Sequence, residues 1–519
     1  MRSRSVYRTL AFVAIALVAI LRLVYLARFC PLDLAPDEAH YWDWSRHLDW
    51  CYYSKGPLVA LLIRGSTELF GAVSIALTGN EMLAVRIPAV VCGSLLVSSL
   101  YVLTVQTTGS DRTALLLTLT VLANPIVAAG STLMTIDAPF MALWGWALVT
   151  GYEAVFRDRG WAWLATGVLI GFGILAKHAM VLWLPCLGLY LLLTPERRGL
   201  LLRPGFRRMT ALAFLGVVPI VWWNAENDWP MFRHELGHAD HGGFFPLGPV
   251  AYLGTQAALL LGFWFVLWLA AAIRYAPIRA RVTEPLRYLW CMSVPVVVFF
   301  GAFAFKNGGG EPNWPMAAYL AGGVLVAAWV VELLDERRDS AAVSKPLPSP
   351  PGFGGEGSGV RGGQRTYENL QYSARDSDPP HPGPLPPQSR GERGMNSAAA
   401  TSNQPLNPAA RRGIRMRRCL VGGWLTFFLI GLGATALVHE PIWFQPMLEI
   451  LAGPATEMRP APLRRVDPTC RLRGWRYLAG EVDRIRAEIY AQEGIEPVLA
   501  ATTWNIPGEI GFYGAGHPT

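Results

Sequence analysis

The chain alternates long apolar stretches with shorter polar ones. Runs such as "LAFVAIALVAILRLVYLA" (10–27) and "ALLLGFWFVLWLAAAI" (258–273) are apolar nearly throughout. Apolar runs of about 18 residues or more are candidate membrane helices, because a helix of that length matches the hydrocarbon thickness of a bilayer. Spans are expected near 8–28, 83–107, 112–130, 135–155, 162–176, 178–193, 209–224, 250–273, 287–305, 314–334 and 419–438. The fifth and sixth share one apolar stretch interrupted by "AKHA", which predicts a hairpin of two short helices rather than one long helix. The first residues are basic and then apolar, as in a signal peptide. Arg22 breaks that run and no small-x-small cleavage site stands out, so an uncleaved first span is expected.

The distribution of Lys and Arg gives the expected orientation. With "MRSRSVYR" inside, the even connections are also inside, and they hold Arg112, "FRDRG" (156–160), "PERRGLLLRPGFRR" (195–208) and "RYAPIRARVTEPLR" (274–287). The odd connections, including 29–82 and 225–249, fall outside and are less basic. Two further segments differ from the spans. Residues 336–418 are rich in Pro, Gly and Ser, cannot bury a core, and are expected to form a disordered cytoplasmic linker. After the last span, 419–438, residues 439–519 carry a helical pattern in "GWRYLAGEVDRIRAEIYAQEG" and a strand-like "PVLAA". The expected architecture is an all-α integral membrane protein of about eleven spans, with its first part covering 1–335, and a small extracytoplasmic α/β domain at 439–519 that stops in mid-pattern.

Composition agrees with this reading. Of 519 residues 52% are hydrophobic and 16% charged, against about a quarter charged in soluble domains. The net charge of +8 lies in residues flanking the spans, where it reads as a topology signal and not as a nucleic-acid surface. Seven cysteines show no paired metal spacing, and Cys30 and Cys51, in one outer loop, are candidates for a disulfide.

The first outer loop holds the densest candidate chemistry. Asp37 and Glu38 stand together in "PDEAHYWDW", Tyr41 follows, and Tyr53 and Lys55 lie in "YYSKGP". A carboxylate can take a proton from an acceptor hydroxyl, and a cation can balance a phosphate leaving group. The plainer reading makes Asp37 and Glu38 a helix cap and its first turn, and Trp42, Trp44 and Trp50 an interfacial belt. Recurrence on one membrane face favours function. Arg86, Asp137, Lys177, His178, Asn224, Glu226, Asn227, Asp228, Lys306, Glu311, Asn313 and Trp314 are all expected on the outer side. Ionisable residues near membrane depth are costly and usually functional.

The ordered set "PDEAHYWDWSRHLDWCYYSKGPLVALLIRGSTELFG", "VRIPAV", "TIDAP", "GILAKHAMVLWLP", "WWNAENDWPMFRHELGHAD" and "EPNWPMAAYL" resembles the GT-C membrane glycosyltransferases, in the branch of protein mannosyltransferases and aminoarabinose transferases for lipid A. The resemblance covers roughly 10–335. It implies transfer of a sugar from a polyprenyl-phosphate donor to a lipid, glycan or protein acceptor, at the outer face of a bacterial inner membrane. The family's acidic first-loop motif maps onto Asp37 and Glu38 and its phosphate-contacting Lys onto Lys55; on this reading Asp37 is the general base, Glu38 its orienter or a cation ligand, and Arg86 joins Lys55 on the donor phosphate, with Lys177 and Lys306 as further candidates. Tyr41, Tyr53, Asp137, His178, Asn313 and Trp314 would contact substrate. A divalent cation is a candidate cofactor, although Ser54 stands where the lipid A branch has an acidic residue.

"HELGH" (234–238) offers a different chemistry. His234-Glu235-x-x-His238 has the zinc-protease spacing, with Asp240 or His241 as nearby third-ligand candidates. The segment is polar, follows Pro230, and has no distant "LDG" to complete a membrane-protease site. Family members of the GT-C type commonly carry "WN…W…F…LGH" after the corresponding span, which accounts for the stretch without zinc. A zinc protease, and a transporter or flippase for lipid-linked sugars, stand as the alternatives.

Overall fold

Proline marks the start of many of the helices, since its fixed φ and missing N–H suit the first turn. The structure, a computed structural model, describes residues 2–239, 243–279, 282–343 and 408–518. The chain opens with α1 (Arg2–Arg28), α2 (Pro36–Arg46), α3 (Leu58–Thr78) and α4 (Met82–Thr108). Then come α5 (Asp111–Leu122), α6 (Pro125–Gly130), α7 (Asp137–Arg157), α8 (Gly160–Ala176) and α9 (Trp183–Leu193). The middle holds α10 (Pro204–Leu215), α11 (Val218–Glu226), α12 (Pro230–Ala239), α13 (Gly248–Leu259) and α14 (Phe263–Arg274). After them lie α15 (Glu284–Cys291), α16 (Val294–Asn307), α17 (Ala318–Val343) and α18 (Pro408–His439), then α19 (Gln445–Ala452), α20 (Trp475–Glu493) and α21 (Asn505–Tyr513). Among the described residues, 2–335 and 417–518 belong to one compact unit. The linker expected at 336–418 lies for the most part outside the described residues.

Among the described residues six helices are long and apolar enough to cross a membrane, seven if the bent pair α13–α14 is one span, against the eleven expected; one of the six is α3, within the stretch expected as an outer connection. The protein is thus an integral membrane protein by helix length and composition. Several expected spans are broken. The 250–273 span bends by 114° between α13 and α14, where Leu261 and Gly262 both take positive φ. Asn124-Pro125 splits 112–130 into α5 and α6. The short hairpin at 162–193 is present, with a 3-10 turn at His178–Leu182 joining its arms.

The stretch 29–82 is not one loop, since it contains α2 and α3. The sequence "LVALLIRGSTELFGAVSIALT" keeps Arg64 and Glu68 paired on an exposed face while Val59, Ala60 and Ile63 are buried. The terminal segment differs from expectation too: no strand occurs among the described residues, and 497–501 carries no regular structure. A single short apolar strand without a partner leaves its backbone groups unpaired, so "PVLAA" alone could not form a sheet.

Helix association inside a membrane rests on close packing rather than on water exclusion. Gly167 and Gly171 of α8 show this against α10, where a Cβ on Gly167 would fall 2.5 Å from the Met209 carbonyl oxygen. Trp144, Trp163 and Trp183 fill the interior of the same bundle. The basic connections 156–160, 195–208 and 274–287 lie together at one end of the bundle. Arg197 pairs with Glu284, Arg203 with Asp158, and Arg287 donates to the Leu193 carbonyl. The candidate chemistry gathers around α2, the 53–56 turn, the starts of α7 and α12, and the end of α8.

Candidate active site

Glu38, at the third position of α2, reaches back to accept the Ala35 N–H at 2.8 Å, which fixes the start of the helix. It also accepts the Met134 N–H at 2.7 Å and pairs with Arg86 at 2.8 Å. Both side chains are buried, at 0% and 1% exposure. Arg86 further donates to the carbonyls of Leu32 and Asp33. Glu38 and Arg86, expected near a cation and the donor phosphate, are therefore both engaged in tying α2 and its approach to α4. Neither is presented as a ligand.

Asp37, one residue away, is exposed. Successive helical residues point about 100° apart, so one carboxylate can face inward and its neighbour the solvent side. Tyr41 lies one turn on from Asp37, buried, with its hydroxyl beside that carboxylate. Although the residue keeps contact with solvent, partial desolvation by the protein around its carboxylate raises the Asp37 carboxyl above the ordinary value. Lys55 opposes this, Glu38 and Asp137 add to it, and Tyr41 opposes it slightly.

Asp137 heads α7 and is held from two sides. Lys177, at the end of α8, donates to it at 2.6 Å, and the Asn313 side chain at 2.7 Å. Lys177 also lies over the Phe140 ring. Gln256 of α13 positions the Asn313 loop by donating to the Pro312 carbonyl at 3.2 Å and accepting from Tyr319. Sequence reasoning missed Gln256, although a polar amide within the apolar "AYLGTQAALL" was an available signal.

Lys55 and "HELGH" meet at the rim. Lys55 Nζ lies 3.2 Å from Glu235 Oε1, and the Tyr53 ring is 4.8 Å from that of His234. His178 is near enough to feel the charges of both Lys55 and Glu235. The turn sits here because Gly56 rests on the end of α8, where a Cβ would come 2.3 Å from the Leu175 carbonyl oxygen. Glu235, in a stretch that the family resemblance accounts for without zinc, thus belongs to the cluster. The His238 side chain, Asp240 and His241 lie outside the described residues. Among the described residues no three His, Cys, Asp or Glu side chains come together as a metal site. The carboxylate of Glu38 is already filled by Arg86 and two N–H groups, so the residues present do not fit a divalent ion there.

Other candidates fall elsewhere. Lys306 is exposed at the end of α16, and Trp314 packs near Phe300. Asn224 is buried, bonding the Ile220 carbonyl and the Met231 N–H, so it shapes the turn into α12. Cys30 and Cys51 are both free. They sit at opposite ends of α2, Cys30 beside Arg86 and Cys51 beside Met231, which explains why no disulfide forms.

An apolar cavity of about 430 Å³ lies next to this cluster. Its lining reaches from Asp137 to Arg112 and includes Leu100, Met141, Phe263 and Trp424, so it draws on α4, α5, α7, α14 and α18.

Comparison with known proteins finds similarity to membrane glycosyltransferases over part of the chain. Residues 54–223 match the family described as dolichyl-phosphate-mannose-protein mannosyltransferase. The chain is similar to lipid A galacturonosyltransferase RgtD of Rhizobium johnstonii, with 28% identity over 314 residues, 60% of this chain and 63% of the relative. It therefore spans somewhat less than two thirds of that relative's length. Among solved structures it is similar to ArnT from Cupriavidus metallidurans bound to undecaprenyl phosphate, at 21% identity and TM-score 0.47, covering 64% of this chain and 63% of that one. It is also similar to the apo oligosaccharyltransferase of Archaeoglobus fulgidus, at 15% identity and TM-score 0.42, covering 64% and 51%.

Proposed function

We propose that this protein transfers a sugar from a polyprenyl-phosphate donor to a lipid acceptor, inverting the anomeric centre. The observation that carries this reading is the meeting of Asp37, Lys55, Asp137 and Lys177 beside an apolar cavity of about 430 Å³. An acidic-and-basic cluster suits a sugar phosphate, and the apolar walls suit an isoprenoid tail. The family description, which names a dolichyl-phosphate sugar, and the lipid A relative support the donor and acceptor classes.

Asp37 takes the proton of the acceptor hydroxyl, and its raised pKa makes it the stronger base. The hydroxyl oxygen bonds to the anomeric carbon as the bond from that carbon to phosphate oxygen breaks. The leaving phosphate takes the electron pair, and Lys55 exchanges Glu235 for its charge. Asp137, held by Lys177 and Asn313, meets the sugar hydroxyls. Glu38 and Arg86 keep α2 in place. The cluster faces the outer side of a bacterial inner membrane, with the N-terminus cytoplasmic and the terminal segment 439–519 outside, as the distribution of Lys and Arg implies.

The test is purified protein in proteoliposomes with a panel of polyprenyl-phosphate sugars and a lipid acceptor. The expected result is glycosylated lipid formed in step with released polyprenyl phosphate. Donor crossing the bilayer without transfer, or no product with any donor and acceptor, would overturn the reading.

A further inference from the structure

The terminal segment makes contacts that an independent module would not need. The Asp33 N–H donates to the Leu472 carbonyl at 2.8 Å, and the Asp33 carboxylate accepts the Trp475 N–H at 3.0 Å and pairs with Arg476 at 2.8 Å. The Leu34 N–H donates to the Tyr513 hydroxyl oxygen at 2.7 Å. These bonds hold the chain just before α2. Midway along α2, Gly508 meets the backbone, where a Cβ would lie 2.9 Å from the His40 nitrogen. Nearer its end, the Phe512 ring packs edge-on against Trp42 at 4.9 Å, and Arg46 donates to the His517 carbonyl. The grip thus runs along the length of α2, while Asp37 and Tyr41 lie toward Lys55 and Asp137.

Glu509 adds a second kind of observation. It is 0% exposed and neither carboxyl oxygen has a hydrogen-bond partner. Burying such a group costs free energy, so the docking of α21 is not arranged for stability alone. Burial, with Glu38 and Asp33 nearby, pushes its carboxyl up to about 9 against the opposing effect of Arg86. A neutral carboxyl therefore lies beside the Glu38–Arg86 pair and leaves that pair undivided.

We propose that α21 and the 472–476 turn are positioning elements of the active site, seating α2 so that Asp37 meets the acceptor hydroxyl. This rests on the reading of Asp37 as the base. It makes the terminal segment part of the catalytic apparatus, acting through α2 and touching no substrate itself. Lys55 lies outside this grip, on a turn seated against α8 by Gly56. Loosening α21 should therefore separate turnover from donor binding.

The experiment compares Gly508→Val, which wedges α21 away from α2, and the milder Tyr513→Phe, which removes the acceptor of the Leu34 N–H. Each is measured for kcat and donor KM in proteoliposomes, beside wild type and Asp37→Asn. Peptide-resolved labelling of the native Cys30 thiol by a water-soluble maleimide reports whether the approach to α2 has loosened. The expected result for Gly508→Val is a kcat drop of about tenfold to a hundredfold, donor KM within about twofold, and faster Cys30 labelling. Tyr513→Phe should move the same quantities less. Unchanged kcat with faster labelling would overturn positioning, and unchanged labelling would overturn the grip itself. Wild-type transfer that survives Asp37→Asn would instead overturn the assignment of the base, a separate result that the labelling rates do not depend on.

Discussion

Two carboxylate–cation pairs lie near the same short helix and are built differently. Glu38 and Arg86 are sealed, with both carboxylate oxygens engaged by the guanidinium and by two backbone N–H groups. Asp137 and Lys177 keep 15% and 12% exposure at the wall of an apolar cavity, and Asn313 supplies a third partner. A sealed pair fixes geometry, because opening it strands a charge in a low-dielectric interior. A pair at a cavity wall can trade one partner for a ligand. Asp37 and Glu38, adjacent in the chain, fall on opposite sides of this division.

The comparison breaks most visibly at the sealed pair. Arg86→Met leaves Glu38 buried and uncompensated, so the expected loss is about 3–5 kcal/mol of stability, read as a lowered unfolding midpoint in detergent. Adding Glu38→Gln should recover part of that loss. At the open side, Lys55→Met should keep the fold and raise donor KM about tenfold or more, the worth of one charge-assisted hydrogen bond to phosphate.

Glu509 gives a pH-dependent effect of intermediate size. Its carboxyl rises from the ordinary 4.5 to about 9. Between those values the unfolded chain has lost a proton that the folded chain keeps, so stability falls as pH rises through that window and levels off above it. Each unit crossed costs up to about 1.4 kcal/mol. The stabilising effect of Glu509→Gln, measured by unfolding midpoint, should therefore grow from about pH 5 to about pH 8. A constant difference would mean that the wild-type carboxyl is ionised throughout.

Glu235→Gln is the smallest expected change. The Lys55–Glu235 pair is partly exposed, worth about 0–1 kcal/mol, and its loss should lower donor KM by no more than a few-fold. Glu235 as the base of a zinc protease would demand loss of activity instead.

Much of this was legible in the sequence for a physical reason. Membrane-length apolar runs and basic connections are one-dimensional signals, and Arg197, Arg203 and Arg287 do lie together at one end of the bundle. The candidate site residues were also legible as a group, since Asp37, Tyr41, Lys55, Asp137, Lys177, His178 and Asn313 do gather. Roles within the group were not. Whether Glu38 or Asp37 turns inward depends on where Arg86 and the Met134 N–H lie, 48 and 96 residues away. α3, long and apolar enough to cross a membrane, escaped notice because Arg64 and Glu68 interrupt its apolar run. The grip of α21 on α2 joins residues more than 450 positions apart, and no local pattern could announce it.

The central claim is that Asp37 acts chemically while its neighbour Glu38 holds the helix. The most direct measurement is single-turnover sugar transfer by Asp37→Asn beside wild type, with unfolding midpoints taken on the same preparations. The account predicts a fall in rate of about 10²–10⁴-fold, the usual contribution of a positioned general base, at a midpoint no lower than that of wild type. A rate within a few-fold of wild type from equally folded protein would contradict it.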